Sequence, residues 1–348
     1  MRVAILSFFD FDEVPGGSEI FVRYLKQAFP DSEVITYSTA RPGAGDLDLR
    51  KVNLQEAMMA VAIGNRFHRL NRRAHYDLIV SNSRAGWYVA VTSPGTPFMN
   101  VYHYTLRGLA ENVLRGTPGY FPSRYLMSLF ERISSIGSTN VAVSYKTQRE
   151  LKEYYDLDSR VIENGIPTDI FSPIPRDEAR EMLTIDWDGP MGIFVGRAEY
   201  AKGFDLIEGI AKDRKDIRIL CVTASSVSNR ELIVKRNVPN ANMPIYYSAA
   251  DFFIFPSRYE SASYSALEAM ACDLPVVVSR TGIFEDIEED KVGRMVDTFR
   301  KEDFSKAIDH VLDRGSYHPR DLVKERYSLD RFIAEYKRMA QELVSGKT

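Results

Sequence analysis

Cysteine is nearly absent: the 348 residues hold two, Cys221 and Cys272, each among apolar neighbours. No disulfide framework is expected from them, and both read as buried thiols of a reducing compartment. The chain has no Asn-x-Ser/Thr sequon and no apolar run near the ~18 residues that a membrane-spanning helix needs. Its opening, MRVAILSFFDF, reaches Asp10 early and shows no small-residue cleavage pattern. It reads as a first strand rather than a signal peptide. H-E-x-x-H, C-x-x-C and G-x-S-x-G are all missing, which removes support for zinc hydrolysis and serine esterase chemistry. Internal repeats and low-complexity tracts are missing too.

What is present suits a globular enzyme. Apolar residues make up 45% of the chain and charged residues 27%, and the length suits two domains of about 150 to 170 residues. The net charge of −3 conceals an asymmetry, because from Ala57 to Arg149 eleven Lys and Arg face three acids, Asp77, Glu111 and Glu131. The local balance of +8 favours an anionic partner, either an acidic acceptor or an anionic membrane. No nucleic-acid partner is expected. Within this stretch NRFHRLNRR sets Arg66, Arg69 and Arg73 at helical spacing. It reads as a solvated helix face or as a peripheral contact with anionic lipid headgroups. The expected location is cytoplasmic, with membrane contact from the cytosolic face.

Strand-like runs alternate with helical patterns, the signature of parallel α/β sheets. In the first half strands are predicted at 3–8, 33–37, 77–81, 98–102, 140–144 and 160–163, with helices at 18–28, 54–73, 123–135 and 145–155. GIPTDIFSPIP, residues 165–175, holds three prolines and no continuous period, which marks a boundary. Strands follow at 191–195, 217–222, 252–255, 276–279 and 293–296, and helices at 204–212, 302–312 and 329–344.

Four places carry residues suited to chemistry. In 252–278, FFIFPSRYESASYSALEAMACDLPVVV, a buried strand is broken by Pro256 and Ser257 and followed by a helix at 263–272. Glu260 then lies at the strand's carboxyl end, where open α/β sheets bind ligands, and Glu268 lies one or two turns into the helix, directed back toward that crevice. VGRAEYAKG, 195–203, puts Arg197 and Lys202 in the turn after the second half's first strand. A guanidinium fork and a mobile ammonium suit the two phosphates of a diphosphate, although many such pairs are solvated surface cations. Pro15-Gly16-Gly17-Ser18-Glu19 opens a helix after the first strand. It is either an anion-binding turn or a plain glycine turn. His103 ends a strand and reads as a proton shuttle or a satisfied structural histidine, while Tyr102, Tyr104, Tyr120 and Phe121 stack on an acceptor or pack in the core.

These motifs resemble family 4 of the retaining, nucleotide-sugar-dependent glycosyltransferases. The likeness rests on PSRYE and ALEAMACDLPVVVS around the E-x7-E pair, on the G-R-x4-K-G pattern from Gly196 to Gly203, on Gly16-Gly17 and on His103. Members usually have Gly-Phe-Gly after the first Glu; here Ser261, Ala262 and Ser263 stand there. The resemblance implies an α/β fold of the GT-B type, two Rossmann-like domains with parallel sheets facing across a cleft. It implies an acceptor domain at 1–168, a donor domain at 169–325 and a last helix, 326–348, packing back on the first domain. It further implies transfer of a hexose from a nucleoside diphosphate sugar to a hydroxyl of a glycan, lipid or other glycoconjugate, with retention and without a metal or other cofactor. Arg197 and Lys202 would hold the diphosphate, Glu260 the sugar and Glu268 the ribose. Ser261, Ala262, Ser263 and Tyr264 would cradle the donor, Gly16 and Gly17 would meet the diphosphate or the acceptor, and His103 would line the reaction centre. The alternatives are a nucleotide-sugar 2-epimerase on the same fold and an inactive nucleotide-sugar-binding module.

Three short patterns are decoys. Asp10-Phe11-Asp12 looks like the metal-binding D-x-D of another glycosyltransferase fold, yet Asp156/Asp158 and Asp186/Asp188 match equally well. Gly43-Ala44-Gly45 lacks the third glycine of a dinucleotide fingerprint, and Gly346-Lys347-Thr348 lacks the leading glycine of a P-loop.

Overall fold

A computed structural model describes residues 1–10, 16–40 and 52–346, with side chains in its long helix described from residue 55. Phe11, Asp12, Pro15, the Gly43-Ala44-Gly45 turn and Lys347-Thr348 lie outside the described residues. The chain divides into two compact units, one formed by Met1–Asn164 with Asp330–Thr348 and the other by Gly165–Leu329.

The first unit is built on a parallel sheet of β1 (Val3–Leu6), β2 (Glu33–Ile35), β3 (Leu78–Asn82), β4 (Phe98–Tyr102), β5 (Thr139–Ala142) and β6 (Arg160–Val161). Their order is β2-β1-β3-β4-β5-β6. Every residue of β1, β3 and β4 is buried, as expected of strands covered on both faces, and this explains their unbroken apolar runs. Ile63 and Phe67, from the helix Val52–Asn71, pack with Ala4, Leu6, Ile79 and Val89 in one cluster. The helix Leu329–Val344 supplies Phe332 and Tyr336, whose rings lie 5.6 and 5.7 Å from Phe21.

The second unit carries β7 (Met191–Val195), β8 (Arg218–Thr223), β9 (Leu232–Arg236), β10 (Phe252–Phe255), β11 (Val276–Ser279) and β12 (Gly293–Val296). All pair in parallel, in the order β12-β11-β10-β7-β8-β9. Winding runs outward one way from β7 to β9 and the other way from β10 to β12. The carboxyl ends of β7 and β10 therefore flank a topological switch point, where open α/β sheets form their ligand crevices.

The helices Trp87–Thr92, Arg176–Met182, Met243–Ser248 and Pro319–Arg326 were not predicted, and three further differences have a local cause. β2 stops at Ile35 because Thr36 turns the chain, its amide donating to Thr39 Oγ1 at 2.8 Å, into a short helix at Tyr37–Ala40. The helix expected at 123–135 opens with a π-helical stretch, Pro122–Met127, before the α-helix Ser128–Ser134. β9 was not expected: it occupies the sheet edge, so Lys235 and Arg236 stand in a strand that lacks a buried outer neighbour.

Candidate active site

The turn after β7 and the turn after β10 are fastened together. Gly203 adopts φ +69°, and a Cβ there would overlap the Pro256 carbonyl, so only glycine permits this approach. Gly282, after β11, is constrained in the same way by the Ser261 carbonyl. Arg258 binds across the gap: its guanidinium donates to both Asp205 oxygens at 2.7 and 2.8 Å and to the Tyr200 carbonyl at 2.6 Å. It stacks 3.6 Å above the Tyr200 ring centroid, and its amide donates to the Ala201 carbonyl at 2.8 Å.

That fastening brings two of the predicted residues into contact. Lys202 Nζ pairs with Glu260 Oε1, and the same oxygen accepts from Ser257 Oγ at 2.8 Å. Ser257 Oγ also lies 3.1 Å from the Ala201 carbonyl, so its single proton is shared between acceptors in the two turns. Arg197 stands apart; its side chain is 68% exposed and pairs with Glu199 at 3.1 Å. Beside it the Ala198 amide donates to Ser225 Oγ at 3.1 Å.

Glu260 leads into the helix Tyr264–Ala271, which Ser263 caps by accepting from the Ala266 amide at 3.4 Å. Ser261 and Tyr264 are buried, and Ala262 and Ser263 are half-buried. Glu268 lies in that helix but is 3% exposed. Its two oxygens accept from Tyr247 Oη at 2.8 Å and Asn240 Nδ2 at 3.3 Å. Burial pushes its pKa up to about 7, with the two donors acting in the opposite direction. The expected orientation toward an open crevice is thus replaced by an enclosed carboxylate with both oxygens engaged.

In the first unit His103 follows β4 and meets Phe21 edge-on at 4.6 Å. Its Nε2 is enclosed and has no hydrogen-bond partner among the described residues, and desolvation lowers its pKa to about 4. The neutral ring is set to exchange a hydrogen bond rather than to carry charge. Gly16 is the N-cap of the helix Gly17–Ala28, with extended backbone and no side-chain cap. Glu19 folds back so far that a Cβ on Gly16 would lie 2.5 Å from its Oε2, placing a carboxylate where an anion-binding turn had been expected. Arg69 is exposed and Arg66 half-buried on the helix Val52–Asn71, which ends before the exposed Arg73 that the predicted helix had included.

The turn after β4 rests on a buried network. Glu131, fully buried, accepts from Arg84 at 3.0 Å, from Tyr155 Oη at 2.5 Å and from the Leu106 amide at 2.9 Å, and its carbonyl accepts from Tyr102 Oη at 2.8 Å. Ser257, Arg258, Asp205, Tyr247 and Asn240 were missed in the sequence reading. PSRYE displays the first two, but no spacing rule reveals that Arg258 reaches Asp205 or that Tyr247 reaches Glu268. Among the described residues no group of three or more His, Cys, Asp or Glu is placed to hold a metal ion.

Solved glycosyltransferases of the GT-B type share this pair of sheets. Sucrose-phosphate synthase from Thermosynechococcus elongatus superposes with TM-score 0.84 at 17% identity, over 99% of this chain and 100% of that one. Anabaena HepE in complex with UDP-glucose gives TM-score 0.73 at 15% identity, over 99% and 100%. At such identities the likeness concerns the fold alone. In sequence, residues 15–170 match the model described as Glycosyltransferase Family 4, and residues 175–328 match Glycosyl transferases group 1. A D-inositol 3-phosphate glycosyltransferase of Mycobacterium sp. strain KMS is 30% identical over 330 residues, 85% of this chain and 74% of its own length. The match to a teichuronic acid biosynthesis relative from Bacillus subtilis strain 168, 31% identical, spans 52% of this chain and about half of that protein, 47%. The chain belongs to glycosyltransferase family 4.

Proposed function

We propose that the protein is a retaining hexosyltransferase that moves a sugar from a nucleoside diphosphate donor to an acceptor hydroxyl. The observation that carries this reading is the Lys202–Glu260 pair at the switch point of the second sheet, beside the capped start of the helix Tyr264–Ala271. HepE, of the same fold, binds UDP-glucose, which supports a nucleotide-sugar donor.

In this mechanism the second unit holds the donor. Lys202, with Arg197 swinging in from solvent, takes up the negative charge that the departing diphosphate gains as the sugar bond breaks. These cations serve in place of a metal. Glu260 orients the sugar hydroxyls, the backbone of Ser261, Ala262, Ser263 and Tyr264 cradles the donor, and Glu268 accepts from ribose hydroxyls in exchange for its bond to Asn240 or Tyr247. In the first unit His103 supplies its unpartnered Nε2 to the acceptor side, and Gly16 and Gly17 contribute backbone there. The acceptor attacks the face that the diphosphate leaves, and a leaving phosphate oxygen takes its proton, so neither Glu acts as a nucleophile. Arg66, Arg69 and Arg73 attract an anionic acceptor or membrane by charge.

Slow donor hydrolysis without acceptor tests this. UDP, GDP and ADP sugars are offered in turn, and NMR records the anomer released before mutarotation. The expected outcome is one nucleotide class turned over, with the sugar's configuration kept and chelators without effect. Release of a 2-epimer would establish the epimerase instead. Binding without turnover under any acceptor would establish an inactive module.

A further inference from the structure

The helical segment that precedes β5 is inside out. Its fully buried positions are mostly polar, Ser123, Ser128, Glu131 and Ser134 beside Met127, while Phe130, packed on Trp87 at 5.0 Å, and Ile133 are half-buried. The polarity of the buried positions serves the Glu131 network with Arg84, Tyr155 and Leu106. Its outer side carries Phe121, Tyr125, Leu126 and Leu129, 48 to 68% exposed. A helix bathed in water normally turns polar residues outward, and contiguous exposed apolar side chains mark a contact surface.

The exposed rings are ordered. Phe121 stacks on Tyr125 at 6.1 Å and 16°, Tyr120 meets Phe121 edge-on at 5.3 Å, and the Arg124 guanidinium lies over Tyr120 and Tyr125 at 5.6 and 5.3 Å. Charge around them is mainly positive, although Glu111 pairs with both Arg115 and Arg124. From 112 to 138 the charged residues are Arg115, Arg124, Arg132 and Glu131, and Glu131 is buried.

We propose that this face docks on an anionic membrane, with Phe121, Tyr125, Leu126 and Leu129 entering the headgroup and upper acyl region while Arg115, Arg124 and Arg132 meet lipid phosphates. Aromatic rings with a polar tip suit that depth, and each arginine gains from the negative surface. A second copy of the chain is a poorer occupant. A two-fold contact would set this arginine-bearing face against itself, three arginines on each side against Glu111, which is already paired with Arg115 and Arg124. The helix Val52–Asn71 does not duplicate the face: Ile63 and Phe67 are committed to the core, and its exposed Met58 lies three turns from Arg69. Arg69 and Arg73 therefore attract by charge alone. The proposal is independent of the donor chemistry.

Sedimentation of the full chain with vesicles of phosphatidylglycerol or of phosphatidylcholine tests it. Binding to phosphatidylglycerol only, weakening with salt, is expected. Phe121→Ser with Tyr125→Ser and Leu129→Ser should lower the partition coefficient more than tenfold, and Arg115→Gln with Arg132→Gln roughly 30-fold. Phe121→Trp, a milder change, should give emission that shifts to the blue on binding and is quenched by acyl-chain bromines, which keeps the test open if the serine variant misfolds. Absence of wild-type binding would overturn the proposal. So would unchanged binding by the serine variant, an unquenched Trp, loss of binding through Arg69→Gln with Arg73→Gln alone, or a dimer in ultracentrifugation that the serine variant dissolves.

Discussion

Lys202 and Glu260 neutralise each other while no donor is bound, so an arriving diphosphate competes with a carboxylate for the ammonium. Lys202→Ala should lower kcat by about 100-fold or more, since it removes a charge that acts on the leaving group; steady-state release of nucleoside diphosphate measures it, and a rate within threefold of wild type would remove Lys202 from the site. Glu268 gives a pH signature. Its folded pKa of about 7 lies above its ordinary value of 4.5, so its contribution to stability is fully present below pH 4.5 and is lost as pH rises through 7. Glu268→Gln should therefore be more stable than wild type at pH 8, by up to about 3 kcal/mol, and the gap should close by pH 5 in denaturant titrations. Donor affinity should rise from pH 6 to pH 8 in the wild type and stay flat in the variant.

Two turns act as one element in the second unit. Gly203 has no room for a side chain against Pro256, so Gly203→Ala should cost about 2 to 4 kcal/mol in stability and raise the donor KM, because Lys202 is the neighbouring residue. Arg258→Lys keeps the charge but loses the fork on Asp205 and the flat stack on Tyr200. It should act on donor KM and kcat more than on the melting temperature. The sequence made much of this element legible: β7, β10, β11 and β12 begin and end at the predicted residues, and Glu260 follows β10 as expected. Contacts between segments far apart in the chain were not legible. Arg258 to Asp205 spans 53 residues and Tyr247 to Glu268 spans 21, and no local pattern encodes such meetings. β9 was hidden because an edge strand needs no continuous apolar run, and Glu19 was hidden because a carboxylate in a first helical turn looks the same folded back or pointing out.

At the scale of the molecule each unit has its own sheet and core. A nucleoside diphosphate should slow amide exchange in the turns after β7 and β10 and leave β1 to β6 unchanged; protection confined to the first unit would contradict the donor assignment. The alternation of strand and helix made two α/β sheets legible, whereas strand order was not, because parallel strands carry the same apolar runs whichever neighbour they take. Tyr336 is fully buried and packs on Phe21 and Phe332, so Tyr336→Ala should cost about 3 to 5 kcal/mol and destabilise the amino-terminal unit although it lies near the other end of the chain. That placement sets a timetable during synthesis. The first unit has all its parts only once the segment from Asp330 has been made, so Phe21 gains its cover from Phe332 and Tyr336 after every residue of the second unit has been joined.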